Sequence, residues 1–327
     1  MSGMTTSNTD VLIRSEIWSN QLKEVLKDNL EATKYVNWID FPDGTTLTIP
    51  SIGEMDTYDY TEDTAIEYTP MALGEFQFTI NEYLASATYI TAKARQDSYY
   101  AAQLEARFLP EQERAIMVAI EGHVLQTGQP GLDTNSSATQ TSAALNNING
   151  APHRFVGSDT VGGQQTLGIA DFAKARYSLK KANVPDTNLI AIVDPSFEYH
   201  FNTQAGFLDV TYNPMWEGIV AQGVASGMRF MRNIYGFDVY VSNYLPTGFS
   251  ETIDSVASGA GATAALFFST AAGDIKPWVG AYRQPVKVDG EWNKDFQREE
   301  YVTTCRYDTA FYRPENLVTV LGQVDIV

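Results

Sequence analysis

The sequence predicts an α+β fold. Three observations carry that expectation. Between Thr45 and Tyr89 apolar and polar residues alternate with a period of two, and from Thr91 to Thr127 apolar residues recur at helical spacing. From Ile169 onward, helix and strand signals alternate before a strand-like end.

In chain order, the first dozen residues are polar. Trp18, Leu22, Val25, Leu26 and Leu30 then share one stripe of a short amphipathic helix, with Ser15 as N-cap and Glu16 in the first turn. That stripe needs a cover, supplied either by the chain's own core or by a neighbouring subunit. Leu47 and Ile49 alternate with threonines, and Phe76, Phe78 and Ile80 alternate with Glu75, Gln77 and Thr79, as in strands with one buried face. Between them, Gly53 to Thr69 interleaves Glu54, Asp56, Asp59, Glu62, Asp63 and Glu67 with Tyr58, Tyr60 and Tyr68, which reads as an extended hairpin. A calcium site is the sharper reading of those carboxylates. The D-x-[DN]-x-[DN]-G order of a calcium loop is missing, so a solvated acidic loop is expected.

The segment 91–127 opens with Ala-rich turns and then places Ile116, Met117, Ile120 and Val124 on one stripe, the longest helical run of the chain. Pro110 either opens a second helix at its first turn or kinks a continuous one. Gly128 and Pro130 stop it, and residues 129–166, rich in Gly, Ser, Thr, Asn and Gln, read as a loop or domain connection. Ile169, Phe172, Ala175 and Leu179 predict a helix ending before Pro185, followed by the apolar strand Leu189 to Asp194. Asp194 and Pro195 carry the N-cap and N1 signature of a short helix with Phe197 and Phe201 inward. Asn213 and Pro214 repeat it ahead of Trp216, Ile219 and Val220. Gly236 introduces the strand FDVYVSN, the Gly and Ala tract Ser258 to Ala265 leads into Leu266 to Phe268, and the end from Glu300 is strand-like.

With 327 residues, 44% of them hydrophobic, the chain can bury a substantial core. A net charge of -18 argues against a dedicated nucleic-acid binder, which needs a basic face to release counterions, so any DNA contact is expected to be weak or local. The single cysteine, Cys305, excludes an internal disulfide framework and fits assembly in a reducing cytoplasm. Neither an apolar signal-peptide core nor a run of membrane-spanning length is present.

No catalytic, cofactor or metal site emerges from the motifs. There is no G-x-S-x-G elbow, since Ser226 in GVASG has the wrong spacing, and no P-loop. His123, His153 and His200 are isolated, without one-turn pairing for a metal. Gly259, Gly261 and Ala264 match G-x-G-x-x-A but precede an apparent strand, whereas a pyrophosphate site needs a strand before and a helix after.

Three stretches carry a resemblance. EIWSNQLKEVLKDNLEATKYVN, Glu16 to Asn37, with TLTIPSIGEMDTYDYTED, Thr46 to Asp63, is similar to the N-terminal arm and extended loop of the tailed-bacteriophage major capsid family. RFMRNIYGFDVYVSNYLP, Arg229 to Pro246, resembles the hairpin from which that chain returns through its axial domain, and YDTAFYRPENLVTVL, Tyr307 to Leu321, its closing strand. The sequence departs from the family at Ser15, where a proline is frequent, and at Ala310 and Phe311, where a glycine is common.

The resemblance implies a Hong Kong 97-type capsid fold: an N-terminal arm at 1–45, an extended β-hairpin loop at 46–90, a peripheral domain with a long spine helix and connecting loop at 91–166, a mixed α/β axial domain at 167–299, and a return strand of the peripheral domain at 300–327. It also implies a structural protein and no enzyme, one that self-assembles as hexamers and pentamers into an icosahedral head around double-stranded DNA. The other implied partners are a separate scaffolding protein, since the chain starts almost at the arm, a portal and a decoration protein. No membrane is involved, and the shell forms in the bacterial cytoplasm. Trp18, Leu22, Leu26, Tyr58, Tyr60 and Tyr68 are the expected inter-subunit contacts, because an isolated arm or two-stranded loop is marginal until laid on a neighbour. Some members crosslink their shells through a lysine of the extended loop. Here no lysine occurs between Lys34 and Lys93, which implies a shell without that bond. The alternatives are an encapsulin-like cargo shell, which needs an inner peptide-binding patch, and a soluble α/β enzyme, which needs a convergent pocket of perturbed titratable groups.

Overall fold

A computed structural model describes residues 30, 32–41, 44, 46–52, 57, 59–65, 73–97, 101–132, 145–203, 230–271 and 275–324. The expected amphipathic arm helix, with Trp18, Leu22 and Leu26, lies outside the described residues, as do Asn213 and Pro214 with the apolar positions after them.

In chain order the described elements begin with a 3-10 turn at Ala32–Tyr35, then β1 (Val36–Asp40), β2 (Thr46–Ile52), β3 (Leu73–Thr79), β4 (Glu82–Thr91), α1 (Ala92–Asp97) and α2 (Ala101–Gln126). Short strands follow: β5 (Asn147–Ile148), β6 (Ala151–Pro152), β7 (Arg154–Val156), β8 (Asp159–Val161) and β9 (Gln164–Thr166). Next are α3 (Ile169–Lys181), β10 (Leu189–Val193), α4 (Pro195–Thr203), β11 (Phe230–Ile234) and β12 (Phe237–Val241). The chain closes with β13 (Thr252–Ile253), β14 (Val256–Ala257), β15 (Thr263–Ser269), β16 (Trp278–Asn293), β17 (Arg298–Phe311) and β18 (Leu317–Gly322).

Two sheets organise these elements. A four-stranded sheet has the order β1-β16-β17-β4 and a six-stranded sheet the order β11-β12-β10-β15-β18-β7. The hairpin β16–β17 is long, and its register slips near Gln284, beside Pro285, which has no N–H to give the ladder. In the β1–β16 pair of that sheet, Trp38 faces Gly280, where a Cβ would come within 2.5 Å of the indole ring. Only glycine lets the tryptophan lie flat there, stacked on Tyr282 with ring centroids 4.2 Å apart.

The spine helix α2 runs through Pro110 without ending, so the proline neither opens a helix nor terminates one. The helix is held to β17 by buried Gln112, whose side chain donates to the Tyr301 carbonyl at 3.2 Å and accepts from Thr303 at 2.9 Å. Ile116, Ile120 and Val124 are buried on the expected stripe. Gly128, at φ +86°, ends the helix against the Phe311 ring, where a Cβ would sit 2.7 Å from the nearest ring atom.

The six-stranded sheet follows the sequence closely at its centre. LIAIV forms β10, buried at every position, and α3 lays Phe172, Ala175 and Leu179 on it. Asp171 bends back to accept the Gly168 N–H at 2.8 Å and the Ser158 N–H at 2.9 Å; burial pushes its carboxyl pKa up while those donors oppose the shift. Asp194 accepts the Ser196 N–H at 2.8 Å and starts α4, with Phe197 fully buried.

Three expectations are corrected. The alternating run 46–90 divides: β2 and β3 pair only with each other, whereas β4 pairs along β17 in the four-stranded sheet. The stretch 129–166, expected as loop, supplies β5 to β9, of which β7 joins the six-stranded sheet beside β18; strands of two or three residues are too short to show a period. The end of the chain, expected as one return strand, splits into β17 of one sheet and β18 of the other, with Pro314 in the 3-10 turn between them.

Candidate functional site

The groups considered for chemistry do not converge. His153 is buried with both ring nitrogens near carbonyl oxygens, Ala151 at 3.0 Å and Glu315 at 3.1 Å, and burial lowers its pKa. His123 packs edge-on against Tyr307, and His200 Nε2, on α4, lies 2.9 Å from Asp159 Oδ2 of β8. Among the described residues no group of three or more His, Cys, Asp or Glu is placed to hold a metal, and no helix is long and apolar enough to cross a membrane. Cys305 is buried, which pushes its thiol pKa up. The glycines of the dinucleotide-like motif lead into strand β15, as its context implied. Ser226 lies outside the described residues.

Three features stand out instead, two on the surface and one buried. The first is the hairpin β2–β3, whose register pairs Leu47 with Phe78 and Ile49 with Phe76. Its base is anchored where Phe78 and Ile80 bury against Val279, Ala281 and Ala310, and Phe76 meets Tyr312 edge-on at 5.2 Å. Further from that base, Leu73 is 74% exposed and Tyr60 69%. Of the expected contact tyrosines, Tyr60 is thus on the surface, while Tyr58 and Tyr68 lie outside the described residues.

The second is the far end of β16–β17, which the sequence reading missed. Arg298 lies between two exposed rings, 4.4 Å from the Tyr89 centroid and 4.6 Å from that of Phe296, and it ion-pairs with Glu300 at 2.6 Å. That pairing holds the Glu300 carboxyl below its usual range. Asn293 accepts the N–H groups of Asp295 and Phe296 and so shapes the turn, beside half-exposed Trp292. Tryptophan, tyrosine and arginine are the side chains that dominate protein interfaces. The detectable signal was EWNKDFQR, where two aromatic residues flank a turn of polar ones.

The third is the root of the N-terminal segment. Glu121 of α2 is fully buried and accepts the N–H groups of Ala32 at 2.8 Å and Thr33 at 3.2 Å. Its carboxylate satisfies donors that the 3-10 turn leaves open. Replacing Glu121 by alanine strands two donors of charge-assisted bonds and is expected to cost about 3 kcal/mol of subunit stability, with glutamine costing about half that. Urea denaturation of the isolated subunit checks it, and equal losses for the two variants would contradict the bonding role.

Residues 74–320 match the family described as phage capsid protein. No curated protein matches the sequence. Among solved structures, the chain is similar to the capsid structure of Cyanophage P-SCSP1u, at 13% identity and TM-score 0.68 over 98% of this chain and 95% of that one. It is also similar to the capsid of Ralstonia phage GP4, at 11% identity and TM-score 0.66 over 99% of each chain. The asymmetric unit of the bacteriophage PhiM1 mature capsid is similar at 13% identity and TM-score 0.65, over 97% of this chain and 94% of that one.

Proposed function

The chain belongs to the phage capsid protein family, and from that premise we propose that it self-assembles as hexamers and pentamers into the icosahedral head that encloses double-stranded DNA. Its role is structural. The observation that carries the reading is the family match, which covers the spine helix and most of both sheets.

In this reading Trp18, Leu22, Leu26, Tyr58, Tyr60 and Tyr68 meet neighbouring subunits, and so does the aromatic tip at Trp292, Phe296 and Tyr89. A two-stranded hairpin such as β2–β3 is marginal alone in water and gains stability when laid across a second subunit. Further partners by analogy are a separate scaffolding protein, a portal and a decoration protein. The assembly takes place in the host bacterial cytoplasm and ends in the virion, with weak, non-specific contact to the DNA.

Negative-stain electron microscopy with sedimentation, on the chain expressed alone and with its scaffolding protein, tests the reading. Closed shells or capsomer rings are expected; a monodisperse monomer under both conditions would overturn it. Within that system, Trp292→Ala with Phe296→Ala should leave the subunit folded yet weaken association. A dominant interface residue is worth about 2 kcal/mol or more, so each affected contact loses at least about thirtyfold in its association constant. Unchanged assembly at the same concentration would remove the tip from the interface. The absence of lysine between Lys34 and Lys93 also predicts that mature particles boiled in detergent release monomers. A ladder of covalent oligomers would contradict it.

A further inference from the structure

The basic residues of the unit built on the six-stranded sheet are not spread over it. Its described stretches, 145–203, 230–271 and 317–324, hold six Lys and Arg, and four of them, Lys174, Arg176, Lys180 and Lys181, lie on α3. A fifth, Arg154, is buried and bound to Glu251. In a chain of net charge -18, this makes the outer side of one helix a local exception.

The four are not equivalent. Arg176 and Lys180 both bind Asp186, at 2.6 and 2.7 Å, and hold the α3 end to the loop that follows. Lys174 sits 3.9 Å over the Phe155 ring while remaining exposed, and Lys181 has no ion-pair partner among the described residues. Lys174, Tyr177 and Lys181 follow i, i+3, i+7 spacing on the outward stripe, with Tyr177 55% exposed. The inward stripe of α3 covers the sheet face formed by Ala191, Phe267 and Val318, whereas Ile192, Leu266 and Phe268 of the opposite face share a core with the spine helix. This outward stripe therefore lies on the side of the sheet away from α2.

We propose that the outward face of α3, through Lys174 and Lys181, is where the shell touches the phosphate backbone of the enclosed double-stranded DNA. The proposal rests on the reading of this chain as a DNA-enclosing shell and adds to it the contacting surface. Composition separates this face from a subunit contact: protein interfaces are depleted in lysine and enriched in aromatic residues and arginine, as at the Trp292–Phe296 tip, while lysines exposed on a helix suit phosphate. The two residues stand about 10 Å apart along the helix axis, which spans about three base pairs of duplex. Two lysines per subunit give a weak contact, and repetition over the shell makes it collectively effective without holding any DNA sequence.

Acetylation of lysines in genome-filled particles, and in the same particles emptied of DNA, tests this by peptide mass mapping. Labelling of Lys174 and Lys181 is expected to be lost in the filled particle and restored in the emptied one. Equal labelling in both overturns the proposal. Labelling blocked in both particles but open in dissociated subunits also overturns it, and assigns the face to a neighbouring subunit. If no particle forms at all, electron microscopy reports that first, and the shell reading itself fails.

Discussion

Trp278→Ala is expected to cost about 3–5 kcal/mol of subunit stability, the range for emptying a fully buried aromatic position. This side chain has no exposed surface and joins both sheets to the end of the spine helix. It starts β16, in register with Val36 of β1 and with Phe311 of β17. Its ring meets Phe268 of the six-stranded sheet edge-on at 5.1 Å, and its indole N–H donates to the Thr127 carbonyl at the end of the spine helix at 3.0 Å. Alanine leaves a cavity where the two sheets meet and also removes the donor to that carbonyl. Phenylalanine should recover part of the loss by filling space without restoring the bond. Urea denaturation of the isolated subunit measures both variants, and a cost below about 1 kcal/mol for alanine would show that the junction collapses around the gap.

Glu251→Ala should be comparably damaging, at about 3–5 kcal/mol, because it leaves the Arg154 guanidinium buried without its counter-charge. The two side chains form a two-pronged pair: one guanidinium nitrogen donates to Glu251 Oε1 at 2.8 Å and another to Oε2. Arg154 is 1% exposed and Glu251 28%, so the partners are unequal. Removing the glutamate strands a cation in the dry interior, over the Phe249 ring at 5.5 Å, whereas removing the arginine leaves a carboxylate that water can reach. Arg154→Met should accordingly cost less than Glu251→Ala. Arg154→Met combined with Glu251→Leu should recover much of the loss, since a well-packed apolar pair often equals a buried ion pair. Equal single losses that add in the double variant would refute the coupling.

Both positions show why parts of the fold were hidden in the sequence. Arg154 sits in a Gly- and Asn-rich stretch that reads as loop, and what makes β7 a strand is a carboxylate 97 residues away together with the parallel edge of β18. Glu121 looks like one more acidic residue on a solvated helix face, yet its carboxylate is turned inward by two backbone donors 88 and 89 residues earlier. The hairpin β2–β3 and the helix α3 were legible because each repeats an apolar period over enough residues to show it, and the strand β10 because it is an unbroken apolar run. The candidate surfaces were legible only in part. Tyr60 is on the surface, and the tip of β16–β17 went unread because Tyr89 is brought to Arg298 by strand pairing across some two hundred residues.

By itself, the sequence determined the α+β class, the long spine helix, the hairpin β2–β3 and the acidic character of the chain, all of which depend on residue type and local period. Only the tertiary structure decided which sheet each strand joins, how the end of the chain divides between β17 and β18, and which charges are buried and paired. The physical reason is that backbone pairing is nearly blind to side chains. The choice of partner strand is made by a few buried contacts between distant residues, such as Trp278 with Thr127 and Arg154 with Glu251, and no local pattern records those.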